Sequence, residues 1–272
     1  MYPILYHSDP LTVRSYGLML VLSFIVGMFL AHTRAQKAGV DPHHLSHLFL
    51  LILFAAVVGS RLLYVGENFS RYAADPWRVV RIWEGGLSMY GGVLLAIAVS
   101  FFYTKAIGEP FAKVADICAP SLALGEALTR IGCFFNGCCF GLSCDLPWAV
   151  VFPKDSAAGQ VFPDTPIHPT QLYSSLYSLL IFGILLAVEK KGRQPGYIIG
   201  LFLLLHATAR FLVEFVRYSE PSLTFTVAHV ALTSYQLITV GLFVLGGCLF
   251  LASRSTEKLR VLPSTSSGRT GW

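Results

Sequence analysis

Apolar stretches near the length needed to cross a bilayer recur along the chain, and polar residues collect between them. Seven such runs stand out, at about 15–33, 46–65, 86–104, 114–134, 171–188, 196–216 and 233–252. None shows the sustained two-residue alternation that a strand of an outer-membrane barrel needs. The pattern predicts an all-α integral membrane protein, a bundle of about seven transmembrane helices. The first run reads as a retained anchor, because no Lys or Arg precedes it before Arg14 while Arg34 and Lys37 follow it. The longest interval, 135–170, holds Pro147, Pro153, Pro163, Pro166 and Pro169. It is expected to be non-helical and to pack as a small extracytoplasmic cap. The membrane-embedded domain is placed at 1–252. The Ser/Thr/Gly-rich segment 253–272 is expected to be a disordered cytoplasmic tail. No internal repeat is visible, which removes the main support for a transporter of inverted halves.

Composition narrows the class further. Of 272 residues, 54% are hydrophobic and only 13% charged, about half the ~25% charge of an ordinary soluble domain. Mean hydropathy is +0.63. A cytosolic enzyme, a nucleic-acid-binding module and a disordered chain are all excluded. The net charge of +5 is scattered between apolar runs rather than clustered on one motif, so no nucleic-acid partner is expected. The intervals after runs one, three, five and seven carry more Lys and Arg than the others, among them Arg34, Lys37, Lys105, Lys113, Lys190, Arg254 and Lys258. By the positive-inside rule the N-terminus is outside and the C-terminus in the cytoplasm.

Five charges interrupt the apolar runs: Arg61, Glu126, Arg130, Arg210 and Glu214. Each costs roughly 2.5–3.5 kcal/mol at a helix centre, so each needs a partner or a polar cavity. Glu126 and Arg130 are i, i+4 neighbours. His206, Arg210, Glu214 and Arg217 form one polar stripe down the sixth run. One reading is structural ion pairing that holds helices in register. The other is an anion site, since arginines outnumber acids on these faces and guanidinium is the usual partner of phosphate. The second reading points to an anionic ligand drawn from the lipid phase.

Short motifs then sharpen the picture. They are Val13-Arg14 followed by Tyr16-Gly17-Leu18, the segment Trp83 to Gly92, and Arg130-Ile131-Gly132-Cys133-Phe134-Phe135-Asn136-Gly137 continuing to Gly141. With them go His168-Pro169-Thr170-Gln171-Leu172-Tyr173 and Arg210 to Arg217. In this order, on seven spans, the chain resembles the bacterial phosphatidylglycerol–prolipoprotein diacylglyceryl transferases from about Tyr16 to Gln236. That resemblance implies transfer of a diacylglyceryl group from phosphatidylglycerol to the lipobox cysteine of a prolipoprotein signal peptide. A thioether forms and glycerol phosphate leaves. The setting would be the bacterial inner membrane with the active site facing outward. The chemistry needs a base for the thiol, cations for the phosphate, and a cavity open to lipid and to water. It needs no cofactor and no metal.

Carried over by motif, Arg130 and Arg210 match the family's essential arginines, and Tyr16 matches a tyrosine near the bound lipid. Asn136, Gly141 and Glu214 fall in signature segments. Arg61, Arg217 and His168 join them as candidate substrate-binding residues. Four positions depart from the family pattern. Tyr90 stands where the family usually has a histidine, a proposed base, and Cys133 and Cys138 replace Asn and Glu. A tyrosine hydroxyl ionises near pH ~10 and is a poor base at neutrality. His206, which replaces a family tyrosine, is the other candidate for that role.

Cys133, Cys138, Cys139 and Cys144 have the spacing C-x4-C-C-x4-C, which matches no common zinc or redox pattern. A disulfide on an oxidising face, inert packing and a functional role all stay open. The cluster motivates one alternative function, a membrane thiol oxidoreductase, although that would explain none of the arginines. Tyr90 motivates another, a non-catalytic paralogue that binds lipid or prolipoprotein. His168, at the mouth of the fifth run, is as well explained by helix capping or a bond to Gln171.

Overall fold

A computed structural model describes residues 4–8, 11–73, 75–190, 194–219, 224–227 and 230–261. Seven of its helices are long and apolar enough to cross a membrane, in the positions that the hydropathy pattern predicts. Large side chains such as Phe29, Phe54, Leu94, Phe102 and Leu180 are exposed on them. In water such a surface would aggregate, whereas lipid tails cover it. The chain divides into two compact units, Met1–Gly27 with Cys118–Trp272, and Met28–Ile117. Two helices, α1 (Ser15–Lys37) and α5 (Phe111–Asn136), run from one unit into the other.

The 28–117 unit holds α2 (Pro42–Glu67), the single turn α3 (Phe69–Ala73) and α4 (Met89–Ala106). Asp41 caps α2 by accepting the His43 N–H at 2.9 Å, with Pro42 in the first turn. The helices α2 and α4 meet backbone to backbone at two glycines. A Cβ on Gly59 would collide with the Gly91 carbonyl, and one on Gly91 with the Gly59 carbonyl. Small residues at a crossing let membrane helices approach closely enough for dispersion to hold them. Two buried arginines tie loose ends here. Arg34 donates from Nε to the Ile117 carbonyl at 2.8 Å and from Nη2 to the Asp116 carbonyl at 3.1 Å.

Arg61 donates to five backbone carbonyls. They belong to Val79 at 2.8 Å, Gly85 at 2.5 Å, Gly86 at 3.0 Å, Arg81 at 3.1 Å, and Arg78. These residues lie in the irregular link between α3 and α4, where the Arg78 and Arg81 carbonyls also accept the N–H groups of Arg81 and Glu84 in 3₁₀ turns.

The other unit opens on an antiparallel hairpin of β1 (Ile4–Ser8) and β2 (Leu11–Arg14), which leads directly into α1. It continues through the C-terminal part of α5, the turn α6 (Ala157–Val161), α7 (Thr170–Glu189) and α8 (Tyr197–Glu214). A second hairpin, β3 (Thr224–Val227) and β4 (Val230–Thr233), precedes α9 (Ser234–Val261). Pro120 sits inside α5, where it removes one ladder hydrogen bond. Ala119, Ala123, Ile181, Leu185, Tyr197, Ile198 and Phe202 form the core around it.

Local detail adds to the pattern read from sequence. The interval 135–170 is not helix-free, since α6 makes one turn, capped by Ser156 Oγ accepting the Gly159 N–H at 3.1 Å. Helix α9 runs past Ser253 to Val261, so the helix does not stop where the tail was expected to begin, and 262–272 lie outside the described residues. The four strands are too short, at four or five residues, to show in an alternation search. The segment after α5 does pack on itself, around Phe140, Phe152, Ala158 and Ile167. Val150 and Ile167 exchange two backbone hydrogen bonds at 3.1 Å.

Candidate functional site

Helix α5 supplies the first pair of charges. Arg130 Nη2 lies 3.3 Å from Glu126 Oε1, one turn back on the same face. The same oxygen accepts the Tyr177 hydroxyl of α7 at 3.2 Å. The other carboxylate oxygen, Oε2, is 3.0 Å from His206 Nδ1 on α8. Glu126 thereby joins three helices. The His206 ring stacks on Phe202 and meets Tyr177 edge-on.

Helix α8 supplies the second group. Arg210 Nη2 lies 2.7 Å from Glu214 Oε2, and Arg217 Nη1 is 3.4 Å from the same oxygen. Ser219 donates to Glu214 Oε1 at 2.8 Å and Thr233 donates to it at 3.3 Å. Arg210 and Glu214 are both buried. The expected single stripe breaks at its end, because α8 stops at Glu214 and Arg217 follows in a turn. There Gly141 and Arg217 pair as an isolated antiparallel bridge, and Tyr218 N–H reaches the Phe140 carbonyl at 3.1 Å. That pairing pulls the chain out of helix.

Tyr235 completes the group. The Arg210 guanidinium carbon lies 5.5 Å from its ring centroid and that of Arg217 lies 5.0 Å from it. One aromatic ring thus serves two cations. A capping box holds Tyr235 in place: Thr233 Oγ1 accepts the Gln236 N–H at 3.2 Å, and Gln236 Oε1 accepts the Thr233 N–H at 2.9 Å. Sequence reasoning passed over Tyr235, Tyr177 and Thr233. The Thr233-Ser234-Tyr235-Gln236 pattern at the start of an apolar run was the available signal for the cap.

The three guanidiniums of Arg130, Arg210 and Arg217 face the two carboxylates of Glu126 and Glu214, so guanidiniums exceed carboxylates by one. Arg217 Nε is buried and has no hydrogen-bond partner. A buried orphan donor on a cation costs about 1–3 kcal/mol or more, which an anionic acceptor would recover. Arg217 also lines a cleft of about 460 Å³ together with Cys139, Phe140, Gln160, Ser219 and Tyr235.

The signature segment contributes Cys139 and Phe140 to this cleft, and the backbone after them is fixed. Gly141 donates its N–H to the His168 carbonyl at 3.1 Å, and a Cβ there would stand 2.5 Å from His168 Cβ and 2.7 Å from the Val216 carbonyl. Glycine is therefore required for three chain segments to meet. His168 does not bond Gln171. Its Nδ1 lies 3.2 Å from the Tyr173 hydroxyl, which also accepts Trp148 Nε1–H at 2.8 Å. Gln171 instead donates to the Cys138 carbonyl and Thr170 to the Cys139 carbonyl, each at 2.8 Å. Asn136 ends α5, and Gly137 turns the chain with φ +70°. Tyr16, in the first turn of α1, passes Gly132, whose Cβ would lie 3.4 Å from Tyr16 Cα.

All six cysteines are free thiols. The sulfurs of Cys133, Cys138 and Cys139 lie within 4.8 Å of one another. Hydrogen bonds from the Cys133 and Cys138 thiols hold the Cys139 thiol far below its ordinary range, and the charges of Arg217 and Arg130 act the same way against burial. Of the remaining candidates, Tyr90 and Arg61 belong to the 28–117 unit. Tyr90 sits in the first turn of α4, and Arg61 is committed to the carbonyl cage already described.

A multi-pass helical membrane protein with a buried, net-positive arginine site is the class this fold and geometry define. The chain belongs to the prolipoprotein diacylglyceryl transferase family, whose model matches residues 3–252. It is 36% identical over 260 residues to the phosphatidylglycerol–prolipoprotein diacylglyceryl transferase of Solidesulfovibrio magneticus, covering 94% of this chain and 96% of that one. The enzyme of the same name from Vibrio vulnificus is 38% identical over 225 residues, 81% of this chain and 80% of its own. That of Chromohalobacter salexigens is 35% identical over 254 residues, 93% and 92%.

Proposed function

We infer that this protein is an enzyme that transfers the diacylglyceryl group of phosphatidylglycerol to the lipobox cysteine of prolipoproteins. The substrate thiolate attacks the glyceryl carbon, the carbon–oxygen bond to the phosphate breaks, and glycerol phosphate departs. The observation that carries this reading is the excess guanidinium charge gathered from α5, α8 and the turn after α8, with the Arg217 Nε donor unpartnered beside a cleft. Arg130, Arg210 and Arg217 hold the phosphodiester and stabilise charge as it builds on the leaving oxygen. Glu126 and Glu214 fix the arginines' orientation and keep the apo site from carrying three unpaired cations.

His206 takes the thiol proton in this reading. The ring is held by stacking on Phe202 and by Tyr177 edge-on, and its Nδ1 stands 3.0 Å from Glu126 Oε2 without hydrogen-bond geometry. Tyr90 then orients sulfur or lipid. Tyr16 and Asn136 contact the lipid substrate, while Gly141 and His168 shape the entry for the lipobox. The basic residues support an N-terminus outside, a C-terminus in the cytoplasm and a site that opens on the outer face of the bacterial inner membrane. The thiol oxidoreductase finds no support in the family, and it leaves the arginines without a task.

Complementation of a transferase-depleted bacterium, with thioether-modified prolipoprotein as the readout, tests the proposal. Growth and modification are expected. A chain that reaches the membrane folded yet modifies nothing, while its Tyr90→His variant does, would favour the lipid-binding paralogue.

A further inference from the structure

The three clustered thiols are not used by the transfer chemistry, in which the substrate supplies the sulfur. Their arrangement nonetheless has the marks of a built site. Cys133 comes from the last turns of α5, and Cys138 and Cys139 from the turn that follows. All three sulfurs lie within 4.8 Å of one another, and Cys144 is not among them. Three sulfurs around one ion at ~2.3 Å stand roughly 4 Å apart, so small rotamer shifts close the ring.

The backbone behind the sulfurs is held. Cys139 has φ +58°, a left-handed conformation that a β-carbon disfavours. The carbonyls of Cys138 and Cys139 are anchored by Gln171 and Thr170 of α7 at 2.8 Å. Gln171 and Thr170 are themselves fully buried. Strain at Cys139 is thus maintained from a neighbouring helix, and the result is to turn two adjacent thiols toward a third. Simple packing of small residues asks for neither.

We propose that Cys133, Cys138 and Cys139 form a three-coordinate thiolate site for a soft monovalent d¹⁰ cation, Cu(I). Softness follows from an all-sulfur donor set, and no His, Asp or Glu joins the cluster among the described residues. The coordination number argues against zinc, which in structural sites takes four protein ligands. The spacing C-x4-C-C hid the site because Cys133 and Cys138 are brought together by the end of a helix and a turn rather than by a C-x2-C loop.

The site is tested on the full chain, reduced, in detergent micelles. Cu(I) is supplied against bathocuproine disulfonate, and Zn(II) in parallel against a chromogenic chelator. One Cu(I) per chain should be retained, with X-ray absorption showing three sulfurs at ~2.3 Å and no nitrogen. Zn(II) should be held at least ~10-fold less tightly. Cys133→Asn/Cys138→Glu, which restores the residues usual in the family and so should fold, must lose the copper. Thermal unfolding of this variant checks that it is folded, and Cys139→Ala serves as a second variant. Failure to retain Cu(I), retention unchanged in either folded variant, or preference for Zn(II) in a shell completed by nitrogen or oxygen would each overturn the proposal. The inference stands apart from the transferase reading, since none of these measurements depends on turnover.

Discussion

Replacing Arg210 by Ala tests whether the buried arginines serve the substrate or only each other. In the folded protein Arg210 lies 2.7 Å from Glu214. Removing one member of a buried pair costs about 3–5 kcal/mol when the other is left bare. Here Glu214 keeps Arg217 at 3.4 Å, Ser219 at 2.8 Å and Thr233 at 3.3 Å. The loss should therefore fall at or below about 3 kcal/mol, within the roughly 5–15 kcal/mol that folded proteins have in hand. Catalysis should suffer more. A donor aimed at charge that develops in the transition state is worth about 10²–10³ in rate, and Arg210 is one of three that carry the site's only net charge.

The assay is thioether formation on a lipobox peptide by purified variant in phosphatidylglycerol vesicles, read by mass spectrometry, with thermal unfolding alongside. Arg210→Ala should unfold at lower temperature yet remain folded, and lose at least 10²-fold in transfer. Arg210→Ala/Glu214→Gln should not recover transfer, and it should lose further stability because Arg217 then lacks the carboxylate it meets at 3.4 Å. If either variant works within ~10-fold of wild type, Arg210 was an ion-pair partner and the phosphate assignment fails.

Other outcomes follow from the same geometry. Tyr90→Phe should slow transfer by about 10–100-fold, the scale of one hydrogen bond to a charged group, and Tyr90→His should be tolerated; unchanged kinetics in Tyr90→Phe would remove Tyr90 from the site. Gly141→Ala forces a methyl against the His168 and Val216 backbones and should cost about 1–3 kcal/mol in a denaturant or thermal titration. Tyr235→Leu removes the ring shared by two guanidiniums and should weaken the site by about 1–2 kcal/mol, seen as a raised KM for phosphatidylglycerol with the protein still folded. Changing Cys133, Cys138, Cys139 and Cys144 together to Ser should leave measurable transfer, and complete loss in a well-folded protein would revive the oxidoreductase.

The spans were readable because a bilayer imposes one length and one polarity on every helix, and no tertiary context overrides that demand. The Arg130–Glu126 and Arg210–Glu214 pairs were readable for a related reason, as i, i+4 spacing is geometry that a helix supplies by itself. What stayed hidden depends on chain segments far apart in sequence. Arg217 left its helix because Phe140 and Gly141 offered the turn a backbone partner. Arg61 looked like a cavity charge until the carbonyls of the α3–α4 link appeared around it. His168 met Tyr173 rather than Gln171, since Gln171 was already engaged with Cys138. Tyr235 carries no charge, so a search for misplaced charges passed it by.

The pairing of each acid with an arginine one turn away on its own helix also bears on how the protein is made. A segment leaving the insertion machinery for lipid is judged before its later neighbours exist. Helix α8 emerges with Arg210 and Glu214 already facing each other, and α5 emerges with Glu126 and Arg130 in the same relation. Each enters the bilayer as an internally neutralised rod, which lowers the cost that a lone charge would impose. The later segment that opens α9 brings Tyr235 to the arginines and the Thr233 hydroxyl to Glu214. The docking of α9 therefore turns two self-sufficient ion pairs into a charged site, and neither α5 nor α8 has to carry a lone charge into lipid.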